Sequence, residues 1–158
     1  MANTQSMTTS FLGELMTATH NFGTAPTRGT SATDTFKAAL YLASATVNAS
    51  TTAYSVTNEV TGTGYTAGGV TVTAATPPTA TNSSATAGVA FFTPSASIVY
   101  TTVTLTTAFD AVLIYNSTQS NKAVSVHTFG SQTITAGTFT LTMPANTTTT
   151  ALLRLATT

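Results

Sequence analysis

From Thr33 to Leu155 the apolar residues of this chain return again and again at every second position, with threonine, serine or alanine in many of the places between. A period of two belongs to a β-strand, whose successive side chains point to opposite faces. Phe36, Ala38, Leu40 and Leu42 fall on one face of such a segment, with Lys37, Ala39 and Tyr41 on the other. Val70 and Val72 alternate with Thr71 and Thr73. Further strands are expected at Val89–Phe92, Ile98–Leu105, Ala111–Tyr115, Ala123–Phe129, Thr133–Met143 and Ala151–Leu155. Turn clusters at Asn116–Asn121 and Gly130-Ser131 separate most of them, and Pro77-Pro78 with Asn82-Ser83-Ser84 makes Ala74 to Gly88 a loop that cannot lie centrally in a sheet. Short strands at this spacing predict an all-β fold, an antiparallel β-sandwich or jelly-roll-like domain over residues 32–158. Ala111–Tyr115 is apolar on both faces and reads as a central strand. The apolar parity changes near Gly137, which predicts a bulge there.

The first thirty-one residues follow another rule. Phe11, Leu12, Leu15 and Met16 stand at helical spacing, with Thr9 or Ser10 as a cap. They predict a short amphipathic helix or arm over residues 1–31, whose apolar face is the candidate partner-binding site. Residues 21–31, rich in Gly, Thr and Pro, read as a linker.

Charge narrows the functions available. The chain carries four Lys and Arg and four Asp and Glu, 5% of its residues, with a formal net charge of zero. Ordinary soluble domains carry about 25%. Nucleic-acid binding needs a basic footprint, and none exists here. No apolar run approaches the ~20 residues of a membrane-spanning helix, and no signal peptide is expected from the opening residues, which lack a positive n-region and an apolar stretch. With hydrophobic residues at 42%, a disordered Ser/Thr-rich stalk is disfavoured. Asn48, Asn82, Asn116 and Asn146 begin Asn-x-Ser/Thr triplets and read as loop markers.

Few residues offer chemistry. Cysteine is absent, which excludes disulfides and thiolate sites. His20 and His127 are the only imidazoles, too few for a metal centre, and His127 is expected to point away from the core. Of the carboxylates Glu14, Asp34, Glu59 and Asp110, Asp34 and Asp110 stand just before expected strands and read as turn residues. Gly62-Thr63-Gly64-Tyr65-Thr66-Ala67 matches a dinucleotide fingerprint in letters only, because a strand rather than a helix follows it. No nucleophile motif appears, so neither enzymatic activity nor a cofactor is expected. Tyr41, Tyr54, Tyr65, Tyr100 and Tyr115 offer a sugar-stacking platform, as in a lectin, although core packing explains them more simply.

Several segments from Lys37 onward share a pattern with known proteins: Lys37-Ala38-Ala39-Leu40-Tyr41, the Glu59-Val60-Thr61-Gly62-Thr63-Gly64-Tyr65-Thr66-Ala67-Gly68-Gly69 loop, Ala111–Asn116, Phe129-Gly130-Ser131 and Phe139-Thr140-Leu141. In these the chain resembles a family of small tailed-phage virion structural proteins. The resemblance implies a virion location and no catalysis. It suits a capsid decoration or cement protein that binds the major capsid protein as a homo-oligomer, with a trimer favoured. A tail, baseplate or fibre component and a carbohydrate-binding host-attachment module are the alternatives.

Overall fold

The computed structural model describes residues 2–16, 18–22, 33–73, 78–81 and 88–156. They form eight strands and one helix in the order β1 (Ser6–Met7), α1 (Thr9–Met16), β2 (Phe36–Leu42), β3 (Val70–Thr71), β4 (Thr79–Thr81), β5 (Val89–Phe92), β6 (Ile98–Asn116), β7 (Lys122–Leu141) and β8 (Leu153–Ala156). All pairings are antiparallel. One sheet has the order β1-β7-β6-β2-β3 and the other β4-β5-β8. The chain is therefore all-β and sandwich-like, with one short helix. The boundary expected at residue 31 lies outside the described residues.

The larger sheet is buried on both faces where β2 meets the end of β6. Ala38, Leu40, Val112 and Ile114 join Phe92 and Leu153 of the smaller sheet, and Phe11 and Phe22, in one core cluster. Ala39, Tyr41, Ala111, Leu113 and Tyr115 form a second cluster on the opposite face, closed by Ala45, Val47 and Tyr54 of the β2–β3 connection. This double covering is why Ala111–Tyr115 is apolar at every position.

The largest departure from expectation lies in the two longest strands. Ile98–Leu105 and Ala111–Tyr115 are parts of one strand, β6, and Ala123–Phe129 and Thr133–Met143 merge into β7 up to Leu141. Gly130-Ser131 is not a turn. The β6–β7 ladder provides local hydrogen-bond partners that a turn would otherwise supply, and it absorbs the misfit in bulges. Ala111 pairs with Thr128 but Phe109 with Gln132, so β7 carries the excess residues around Gly130. A second bulge lies between Ile134 and Gly137, at Ala136 (φ 48°), next to the expected site.

Smaller corrections share this origin. Asp110 lies inside β6, not in a turn before it. Beyond Pro78, Thr79–Thr81 forms the edge strand β4, a position that tolerates a neighbouring proline. His127 does not point away from the core. A register shift between Ile114 and Tyr115, opposite Ser125 and Ala123, reverses the facing of β7, and His127 sits half-buried across from Val112.

Candidate interaction site

Helix α1 is fixed at both ends by the β-body. Thr8, just before it, is buried and donates its hydroxyl to the carbonyls of Ala123 (3.0 Å) and Val124 (3.3 Å). Thr9 begins the helix, and its amide donates to Ala49 O, so neither Thr9 nor Ser10 is the residue that precedes the first turn. At the other end the amides of Ala18 and Thr19 donate to Leu15 O and Glu14 O, and Ala18 takes a left-handed φ of 55°.

The helix divides the four candidate partner-binding residues. Phe11 is 2% exposed, with its ring edge-on to His20 at 5.0 Å and to Phe22 at 5.9 Å. Leu15 is partly buried against the same cluster. Leu12 (42% exposed) and Met16 (90%) face outward. Between α1 and the smaller sheet runs an apolar groove of about 90 Å³, lined among others by Met7, Phe11, Leu15, Ala90, Phe92 and Leu155. Leu155 is 41% exposed. Thus Leu12, Met16 and Leu155 are open to contact, whereas Phe11 already serves the core.

A chain of polar groups clamps this segment to the β6–β7 turn. Glu14 pairs through Oε1 with Lys122 Nζ and through Oε2 with His20 Nε2 at 2.7 Å. Burial raises the Glu14 pKa, but the hydrogen bonds to Lys122 and His20 outweigh it and hold the group below its usual value. His20 Nδ1 lies 3.1 Å from Asn116 Nδ2, which also donates to Asp34 Oδ2 at 2.7 Å. Asn116 Oδ1 accepts from the amides of Thr118 and Gln119. That fixes the amide orientation and makes His20 Nδ1 the acceptor. Asp34 also accepts from the Asn21 amide (2.8 Å) and from Gln119 Nε2. Asn116 is therefore a buried hub rather than a loop marker.

A second polar centre explains the glycine-rich loop. Glu59 is buried and accepts from Tyr54 OH (2.6 Å), Tyr65 OH (2.6 Å) and the Gly68 amide (2.7 Å). Tyr65 OH also accepts from Leu40 N, and Tyr115 OH donates to Gly68 O. Tyr54 and Tyr115 stack at 4.6 Å. Burial and the carboxylate raise the pKa values of Tyr54 and Tyr65, and burial pushes Tyr41 up to about 12. A Cβ on Gly69 would lie 1.6 Å from Ala38 O, and one on Gly62 2.0 Å from Thr104 O. The glycines thus let the loop lie against the backbones of β2 and β6. All five tyrosine hydroxyls bond within the chain, and Tyr41, Tyr100 and Tyr115 are buried.

The remaining groups are equally occupied. Asp110 accepts from Asn3 Nδ2 at 2.6 Å. All four carboxylates are therefore held by internal partners. Ser125 Oγ and His127 Nε2 lie 2.9 Å apart, but Ser125 is fully buried, and burial lowers the His127 pKa to about 4. Among the described residues no group of three His, Asp or Glu is placed to hold a metal ion, and no helix is long and apolar enough to cross a membrane.

Compared with protein-family models, curated proteins and solved structures, the chain matches none. What the geometry isolates is a small apolar contact surface: the outer side of α1 and the groove beside it. Sequence reading located the helix but missed its anchors Asn3, Thr8, Phe22 and Asn116. Polar residues in such a Thr- and Asn-rich chain give no signal of burial.

Proposed function

We infer that this chain is a structural component of a tailed-phage particle, a decoration or cement protein that binds the major capsid shell as a homo-oligomer and stabilises it. The supporting observation is where the charge lies. All four carboxylates are engaged inside the fold, and Lys122 is paired with one of them. The exposed strand positions carry mainly threonine and other uncharged residues. Near-zero net charge with little surface charge favours association over free solution. A subunit covered by its neighbours suits such a surface. The rim of Leu12, Met16 and Leu155 is the side assigned to the shell, with the groove receiving an apolar side chain of the capsid subunit.

The test is the copy number in purified particles, measured by quantitative mass spectrometry against the major capsid protein. A simple ratio near one supports the shell position. A few copies per particle would move the protein to the tail, baseplate or fibre, and absence would end the virion reading.

A further inference from the structure

The two halves of β7 differ on their outer side. Up to Val126 that side is covered: Tyr54 N donates to Asn121 O, Ala123 N to Thr52 O and Thr8 N to Val124 O, and β1 pairs with Ser125 and Val126. Beyond Val126 no described residue pairs with it. The bulges around Gly130 and Ala136 blunt part of this open edge. The last run, Gly137–Leu141, carries no extra residue of its own, although β6 bulges opposite Gly137–Phe139, between Tyr100 and Val103. Phe139, Thr140 and Leu141 pair in unbroken register with Tyr100, Val99 and Ile98. Thr138 and Thr140 are exposed on one face, beside Val99 (39% exposed), while Phe139 and Leu141 are only partly covered on the other.

A strand edge that stays free is normally guarded by a charged side chain or a proline within it. This run has neither, and no Asp, Glu, Lys or Arg occurs between Lys122 and Arg154. When a strand pairs antiparallel with its own copy across a two-fold axis, a residue on the axis faces itself and one beside it lies diagonal to its own copy, so a charge near the centre of the run meets its like. An uncharged run satisfies that condition and leaves backbone amides and carbonyls to be paired.

We propose that the Gly137–Leu141 edge of β7 pairs antiparallel with the same edge of a second copy, joining the larger sheets of two chains across a two-fold axis. Phe139 then lies at the axis, with Thr138 of each copy opposite Thr140 of the other. The partly covered faces of Phe139 and Leu141 extend across the join. A two-fold contact yields a dimer, so the trimer implied by the resemblance would require a different surface. The paired run is about 17 Å long, below the size of a stable interface by itself, and dissociation is expected in the micromolar range or weaker.

The inference does not depend on the virion reading, because it is tested on the isolated full chain. Sedimentation equilibrium from low-micromolar to sub-millimolar concentration should show the mass rising from one chain to two. A Thr138→Lys/Thr140→Lys chain should remain a monomer with an unchanged melting temperature, as should a Thr138→Glu/Thr140→Glu chain. An equimolar mixture of the two should return to a dimer, since each lysine then faces a glutamate. A parent chain that stays monomeric or sediments as a trimer overturns the proposal. So does a lysine variant that still dimerises, or a mixture that does not.

Discussion

Replacing Glu59 tests whether the glycine-rich loop is held by a coupled polar centre or only by its close backbone contacts. Glu59→Ala removes the acceptor for Tyr54 OH, Tyr65 OH and the Gly68 amide. A buried donor left without a partner costs about 1–3 kcal/mol. Tyr54 is half-exposed and can turn its hydroxyl to water, which leaves two donors stranded. The expected loss is therefore about 3–5 kcal/mol. For a chain of this size each kcal/mol lowers Tm by about 2–4 °C, so the melt should fall by on the order of 10 °C. Glu59→Gln keeps an acceptor oxygen, and its amide can donate to a tyrosine hydroxyl, so it should lose only about 1 kcal/mol of charge assistance. Tyr65→Phe strands the Leu40 amide as well and should cost about 2 kcal/mol. Because Glu59 and Tyr65 share one bond, the Glu59→Ala/Tyr65→Phe chain should lose about 1–2 kcal/mol less than the sum of the single losses. Urea midpoints and circular-dichroism melts of the four variants provide the measurement. Strict additivity, or a Glu59→Ala chain within about 1 kcal/mol of the parent, would refute the coupled centre.

Three other expectations can be checked with the same assays. Phe11→Ala should cost about 3–5 kcal/mol by opening a cavity in the core, whereas Met16→Ser should leave the melt within about 0.5 kcal/mol and weaken only attachment to particles. Ala18→Gly should raise stability by about 0.5 kcal/mol, because relief of the left-handed strain exceeds the added freedom of the unfolded chain; a lower Tm would contradict this. His127 has its pKa lowered from 6.5 to about 4 by burial, so between those values the unfolded chain binds the extra proton. Its contribution is present above pH 6.5 and lost as the pH falls toward 4, by about 3 kcal/mol at most. His127→Gln should flatten that part of the stability–pH profile, and an unchanged slope would place the acid sensitivity elsewhere.

Alternation made much of the architecture readable. Val89–Phe92 is a strand at both expected ends, and Ala111–Tyr115 is central because both its faces are apolar. The helix at Phe11–Met16 was visible from its spacing. The continuity of β6 and β7 was not. Gly130-Ser131 has the local chemistry of a turn, and only pairing with a distant strand overrides it. The facing of His127 was hidden for the same reason, since one extra residue, Val124, inverts everything beyond it. The Glu59 centre did leave a trace: a lone carboxylate beside Tyr54 and Tyr65, with Gly68-Gly69 following, in a segment otherwise poor in charge. The trace gave the residues but not their convergence, because the loop must first fold back over β2. For the contact surface, spacing grouped Phe11 with Met16, and only the packed structure separates them by exposure.

The sparse and mutually cancelling charge of the chain also has a kinetic consequence. A partner approaching this molecule meets almost no long-range field, so nothing steers the encounter. Association should proceed at an unassisted rate of about 10⁵–10⁶ M⁻¹s⁻¹, and added salt should change it little. Occupancy of any surface it coats would then depend on how slowly it leaves and on how densely its sites are arrayed, rather than on how fast it arrives.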